Sequence, residues 1–123
     1  VDVVHRHGKP FLLHSCGCIF DVMDDLITTA GIDAKHSNED QIAPFSEWIT
    51  QYGSRIGNFG GIDTDVLCDI NETDVVDYVT ALYKTMRAKD GGVALGSGNS
   101  IPDYVSIDRY VQAVETVRKL RGE

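Results

Sequence analysis

Residues 9–18 read KPFLLHSCGC, a short apolar run that stops at a histidine, a serine and two cysteines. Imidazole and thiol are among the best metal-binding and nucleophilic side chains available to a protein, and here they are bunched. His14 and Cys16 are separated by one residue, so on an extended strand both side chains leave the same face. An imidazole nitrogen and a thiolate on one face make two corners of a tetrahedral zinc site. A hydrogen-bonded histidine beside a half-buried thiol has the same spacing, and two donors alone do not make a site. Cys18 shares the parity of Cys16 but falls where a helix begins, which ranks it lower.

Such a pair needs an element to present it, and the chain offers four strands in turn, each followed by a helix. Residues 11–13 form a short apolar run after Pro10, enough for a buried parallel strand. Ile19, Phe20, Val22, Met23, Leu26, Ile27 and Ala30 then recur at helical spacing up to Gly31. Residues 32–34 predict a weak second strand ending in Lys35, His36 and Ser37. Pro44 suits the first turn of a helix whose apolar face is Phe45, Trp48, Ile49 and Tyr52, closed by Gly53.

The rhythm repeats twice more. Residues 55–59 predict a third strand running into Gly60 and Gly61. Asn71 is the expected N-cap, with Asp74 three residues on, of a helix carrying Val75, Val79, Leu82 and Met86. Residues 93–95 predict a fourth strand stopping at Gly96, Ser97, Gly98 and Asn99. Ser106 caps a last helix with Ile107, Tyr110, Val111, Val114 and Val117 on one face and Gly122 after it.

Four strand-helix units without a hairpin signal imply a parallel sheet with right-handed crossovers. They make half of a (β/α)8 barrel, which runs to about 250 residues. The rival, a doubly wound open sheet, wants a glycine-rich phosphate turn after its first strand, and HSCGC is not one. The expected fold is therefore α/β, residues 1–123 forming a single domain that is half a barrel. The chain starts at Val1, and VDVVHRHG reads as the end of a helix already under way, so a fragment is expected.

In such a sheet the C-terminal ends of all strands lie on one side, where barrel enzymes do their chemistry. That side collects His14, Ser15, Cys16 and Cys18 from the first strand, and Lys35, His36, Ser37, Asn38 and Glu39 from the second. Asn58 and Asp63 follow the third; Ser97, Asn99 and Ser100 follow the fourth. Cys68 and Trp48 read as packing residues, and His5 and His7 as solvated. Asp24, Asp25 and the acids of residues 72–77 read as solvated helix faces, helped by the helix dipole.

Bulk composition narrows the partners. A formal charge of -8 is wrong for a nucleic-acid backbone or an anionic lipid surface. Three cysteines cannot all pair within one chain and do not form a disulfide framework, so a reducing, cytoplasmic setting is expected. No apolar stretch approaches the roughly 20 residues of a membrane span, and nothing reads as a signal peptide.

Three segments together carry a resemblance: HSCG after the first strand, RIGNFGGID at the third, and ALGSGNSIPDYVSIDRYVQAV at the end. From Lys9 onward the chain resembles the C-terminal half of the uroporphyrinogen decarboxylase superfamily. The Gly57-Asn58 step and residues 96–103, Gly-x-Gly followed by Pro-Asp, are the most specific parts. The superfamily fold is a (β/α)8 barrel. True uroporphyrinogen decarboxylases remove carboxyl groups from a tetrapyrrole without metal or cofactor. Their essential aspartate and arginine-rich segment lie in an N-terminal half that this chain does not contain, and they have a histidine where it has Ser97.

The other branch is similar to the methylcobamide:coenzyme M methyltransferases and, more distantly, to cobalamin-independent methionine synthase. It has His-x-Cys at the positions of His14 and Cys16 and a further cysteine in the last Gly-x-Gly. In the methionine synthases the pair extends to His-x-Cys-x-Cys with the last cysteine not a ligand, in keeping with the rank of Cys18. The resemblance implies zinc that activates a thiol substrate for attack on a methyl group supplied by a corrinoid, either free or on a corrinoid protein. Ser97 stands where that branch has its distal cysteine, and a serine hydroxyl is a poor zinc ligand. His36 or Glu39 then completes the set, or a residue of the other half does, or no zinc is bound.

The expected function is accordingly a corrinoid-dependent methyltransferase with a thiol or zinc site. His14 and Cys16 are its ligands, and Ser97, Asn99, Asn58 and Lys35 line the place of a small-molecule substrate. The alternative is uroporphyrinogen III decarboxylase, for which Lys35 is the one strand-end lysine. A half barrel standing alone has open sheet edges and an uncovered apolar face, so self-association without catalysis is expected of the isolated chain.

Overall fold

In a computed structural model of the chain, residues 1–68, 72–88 and 91–123 are described. Four strands, β1 (Leu12–His14), β2 (Ala34–His36), β3 (Gly57–Ile62) and β4 (Val93–Ser97), form one sheet. All three pairings are parallel and the spatial order is β1-β2-β3-β4. Between them lie α2 (Met23–Thr28), α3 (Phe45–Tyr52), α4 (Thr64–Leu67) and α5 (Val75–Arg87); α1 (Asp2–Arg6) precedes the sheet and α6 (Ile107–Arg121) follows it. Strands taken strictly in chain order, with crossovers of one hand, put their helices on one face. This α/β arrangement is compatible with half of a barrel.

The helical face holds the core. Phe45, Trp48, Ile49 and Tyr52, at i, i+3, i+4 and i+7 of α3, are all buried and pack with Met23, Ile32 and Ile56. A second cluster joins Ile62, Leu67, Val75, Val79, Val105 and Ala113. Leu13 packs against the first cluster, whereas Leu12, one residue away and of opposite parity, is 48% exposed. Phe59 is likewise exposed. The face turned from the helices is the uncovered one.

The differences from expectation have local causes. β2 starts at Ala34 rather than Ile32, because Ile32 is drawn into the core by its N–H bond to the Leu26 carbonyl (3.1 Å). The expected helix over residues 19–30 is a 3-10 turn, Phe20–Val22, followed by α2. β3 continues through both glycines to Ile62, and β4 takes in Gly96 and Ser97. The short α4 had no apolar periodicity to announce it; the Asp63 carboxylate caps it, accepting from Asp65 N–H at 2.7 Å. Asn71 lies outside the described residues, and α5 is capped by Asp74, which accepts from Asp77 N–H at 2.9 Å. Ser106 caps α6 as expected, and Gly122 ends it in the left-handed conformation (φ 81°) that glycine adopts without strain.

His5 is not simply solvated. Its Nε2 lies 2.6 Å from Asp33 Oδ2, which also accepts the Phe11 N–H at 2.6 Å. The Phe11 N–H first, then His5, hold the Asp33 carboxyl below its ordinary pKa. That ties α1 to the loop leading into β2.

Candidate functional site

The strand ends bring His14, Cys16, His36, Ser37, Ser97 and Asn99 into one group. β1 and β2 pair with His14 opposite His36, and the Ser15 N–H extends the ladder to the His36 carbonyl at 2.8 Å. The two rings lie with centroids 4.9 Å apart, Nδ1 to Nδ1 at 2.8 Å. The His36 ring reaches across β3 to β4, its Nε2 3.0 Å from the Ser97 carbonyl oxygen. That reach needs Gly60, where an added Cβ would stand 3.3 Å from the His36 ring and 2.5 Å from Asn38 Oδ1. Cys16 Sγ lies 3.6 Å from His14 Nε2 and receives bonds from Ser37 Oγ and Asn99 Nδ2, each at 3.5 Å.

This network assigns its own protons. A carbonyl oxygen only accepts, so His36 Nε2 carries hydrogen. In neutral His36 the Nδ1 is then a lone pair, which takes the proton of His14 Nδ1–H. His14 is left with its Nε2 lone pair facing the thiol. The chain Cys16–His14–His36–Ser97 carbonyl therefore runs in one direction. It can receive the thiol's proton at His14 Nε2, which is the logic of an activated nucleophile with an oriented base.

The same lone pair suits a metal. Zn–S and Zn–N bonds of about 2.3 and 2.0–2.1 Å at a tetrahedral angle set the two donor atoms about 3.6 Å apart. The separation of Cys16 Sγ and His14 Nε2 is 3.6 Å. Among the described residues, no group of three or more His, Cys, Asp or Glu is arranged to hold a metal ion. Both His36 nitrogens are engaged, one by His14 and one by Ser97. Glu39 instead lines a hollow of about 210 Å³ with Asp63, Asp65 and Asn99. A larger cleft of about 810 Å³, lined by Tyr83, Met86, Val93, Leu95 and Val117, contains none of these donors.

Two expected site residues are elsewhere. Asn58 is near the start of β3, 1% exposed, with its amide donating to the Ile56 carbonyl at 3.2 Å. Because β3 runs on to Ile62, its outer end comes four residues after Asn58. Lys35 alternates with His36 along β2 and so turns to the helical side. It is 3% exposed, with Nζ 3.8 Å over the Trp48 ring and bonded to the Ser37 carbonyl. Burial pushes its pKa down to about 8 against the opposing pull of Cys16 and Glu39. Cys18 is exposed, and Cys68 closes α4 and packs against the second cluster.

The low Lys35 pKa has a consequence for stability. The unfolded chain binds this proton more tightly than the folded one, so folding carries its full penalty below about pH 8 and sheds it between about 8 and 10.5. A Lys35→Met chain lacks the penalty. The stability gap between the two is expected to change by on the order of 2 kcal/mol over that range, after allowance for water reaching the ammonium. Urea denaturation at pH 7 and pH 10 measures it. A gap independent of pH would show that Lys35 is not held in this way.

A second polar network lies beside the site; Asp63 is among the strand-end groups expected from the sequence, but Tyr78 and Asp40 had no signature there. Tyr78 on α5 donates to Asp40 Oδ2 at 2.6 Å, and Asp40 N–H donates to Asp63 Oδ2 at 2.5 Å. Burial raises the pKa of both the Asp40 carboxyl and the Tyr78 phenol. Asn38 connects the strand ends more directly. Its Oδ1 accepts from Gly61 N–H at 2.7 Å, and its N–H donates to the Gly98 carbonyl at 3.0 Å.

Comparison with family models, with curated proteins and with solved structures found no match to this chain. Among the described residues, no helix is long and apolar enough to cross a membrane.

Proposed function

We propose that this chain is half of a (β/α)8 barrel of the uroporphyrinogen decarboxylase superfamily, of the corrinoid-dependent methyltransferase type, with a zinc–thiol site at its mouth. The metal site is supported by the 3.6 Å between Cys16 Sγ and His14 Nε2, a separation that two donors of a tetrahedral zinc site share with a thiol–imidazole hydrogen bond; the family part rests on the segments HSCG, RIGNFGGID and ALGSGNSIPDYVSIDRYVQAV. The sequential order of the four parallel strands supports the barrel, since a doubly wound sheet reverses its order part-way. Three unpaired thiols agree with a reducing, cytoplasmic setting.

His14 and Cys16 would hold the metal, with further donors from the other half of the barrel. Zinc, when bound, supplies a Lewis acid that lowers the pKa of a thiol substrate. The chain's own groups do the rest. Ser37 and Asn99 donate hydrogen bonds to Cys16 Sγ and disperse its negative charge. Ser97 and Asn99 flank the place of a small substrate, and a corrinoid, on its own protein or free, meets it from the open side. The decarboxylase alternative gains nothing from Lys35, whose ammonium is buried against Trp48.

Elemental analysis of the full-length protein, purified without chelator, tests the reading. About one zinc per chain, lost in Cys16→Ser, is the expected result. No zinc in the unsubstituted full-length protein would overturn it. The directional hydrogen-bond chain favours a second reading in that event, a metal-free cysteine nucleophile with His14 as its base. Rapid alkylation of Cys16, slowed in His14→Ala, would mark it.

A further inference from the structure

Cys16 and Cys18 flank a glycine in the loop that leaves β1, and both thiols are exposed and unpaired. Cys18 does not join a helix as its place in the sequence suggests, since the first helical turn begins at Phe20. We propose that the two form a dithiol redox couple that exchanges with the disulfides of small thiols, Cys16 attacking and Cys18 resolving. The couple rests on the metal-free reading of Cys16 as a nucleophile given above and supplies that reading with its substrate class.

What surrounds each sulfur sets the roles. Cys16 Sγ lies 3.6 Å from His14 Nε2 and accepts hydrogen bonds from Ser37 Oγ and Asn99 Nδ2, each at 3.5 Å. A thiolate there has a base beside it to receive its proton and two donors to disperse its charge. Among the described residues these groups converge on Cys16 alone, which makes it the attacking thiol. The same donors serve it as a leaving group when the exchange runs backward.

Position makes Cys18 the resolving thiol. The chain bends at Gly17, whose φ of 86° lies in the left-handed region that glycine enters freely. A Cβ at Gly17 would meet nothing within 4 Å, so the bend is unobstructed. Two Cα–Cα steps of about 3.8 Å folded at that bend fall within the roughly 4.4–6.8 Å that a disulfide spans. The ring it closes is small, and a strained, exposed disulfide belongs to the readily reduced kind rather than the structural kind.

The exchange balances in two steps. Cys16 passes its proton to His14 Nε2, and its sulfur attacks one sulfur of the substrate disulfide. The substrate S–S bond breaks: one half stays on Cys16 as a mixed disulfide, and the other leaves as a thiolate that takes the proton from His14. Cys18 then loses its proton to water and attacks the Cys16 sulfur. The Cys16–Cys18 bond forms, and the second half leaves as a thiolate that is protonated by water. Two electrons have passed from the protein thiols to the substrate, and an excess of a small thiol reverses both steps.

Exchange on the full-length protein, with chelator present so that no metal covers the thiols, tests the couple. Reduced protein is mixed with oxidised glutathione, quenched at intervals with a maleimide and digested with trypsin, which leaves Cys16 and Cys18 on one peptide and Cys68 on another. The expected product is that first peptide, two hydrogens lighter and without bound glutathione. Cys18→Ser is expected to stop at a glutathione adduct on Cys16. Cys16→Ser is expected to form its adduct on Cys18 at least about tenfold more slowly. A lasting adduct on Cys16 of the unsubstituted protein, with no internal bond, would overturn the couple while leaving Cys16 a nucleophile. Equal adduct rates in the two variants would overturn the assignment of roles together with the metal-free reading beneath it. Closure by hydrogen peroxide but not by oxidised glutathione would overturn the substrate class.

Discussion

Trp48→Ala is expected to leave the chain largely without a cooperative fold at room temperature. Trp48 is 2% exposed, stacks on Phe20 with centroids 4.1 Å apart, and touches Tyr52 at 6.0 Å. Truncating a buried aromatic costs about 3–5 kcal/mol in lost burial and residual cavity. A domain of this size holds only about 5–15 kcal/mol in all. A second effect adds to it: the Lys35 ammonium lies 3.8 Å over this ring and would be left over a cavity. Trp48→Phe separates the two contributions. It keeps a π-face for Lys35 and Phe20, and it removes an indole N–H that finds no acceptor among the described residues. It is expected to cost about 1–2 kcal/mol. Urea denaturation followed by circular dichroism reads both variants. A loss below about 1.5 kcal/mol in Trp48→Ala would mean that the first core cluster is not organised around this ring.

The α3 face shows which parts of the structure the sequence could express. Phe45, Trp48, Ile49 and Tyr52 recur at helical spacing, and all four are buried, because amphipathic period is a local property that survives folding. Ser106 and Gly122 bound α6 for equally local reasons, a hydroxyl that caps and a residue that tolerates positive φ. β2 was less legible. The sequence marks only a weak strand over residues 32–34, because Ala34-Lys35-His36 is two-thirds polar; that segment is extended because β1 and β3 pair with it from either side. The same gap misassigns Lys35. A lysine at a strand end suggests a cation at the mouth, but strand parity turns it to the helices, where Trp48 receives it.

The candidate site divides along that line. His14 and Cys16 could be paired from their spacing alone, and His36 placed near them from its position after the next strand. That His36 turns one nitrogen to His14 and the other to a β4 carbonyl depends on sheet order and on the space left by Gly60. Ser37 and Asn99 meet at Cys16 for the same reason, coming from β2 and β4 over a sheet that only tertiary structure assembles. Tyr78 had no chance of being singled out, since its role depends on where α5 lies against the loop bearing Asp40.

Gly98 is where the stability of the sheet and the geometry of the site meet, and Gly98→Ala is expected to damage both. Gly98 N–H donates to the Ile62 carbonyl at 2.6 Å, and its own carbonyl accepts from Asn38 N–H at 3.0 Å. An added Cβ would stand well under 3.0 Å from the Asn38 carbonyl oxygen and 3.2 Å from that of Ile62. Both obstacles are backbone, so neither can swing aside as the end of a side chain would. The end of β4 must move away from the loop after β2, and the Ser97 carbonyl that grips His36 moves with it. Forced overpacking of this kind costs about 2–3 kcal/mol. Gly96→Ala, two residues earlier and within β4, is the matched control. Nothing lies within 4 Å of its added Cβ and its φ is not positive, so a change within about 0.5 kcal/mol is expected. Denaturation midpoints should fall in Gly98→Ala alone, with the ring nitrogen-15 resonances of His36 shifting beside them. Equal midpoints in the two variants would mean that β4 can yield at its end without cost. Lower stability with the His36 resonances unchanged would mean that the His36 contact does not depend on where β4 stops.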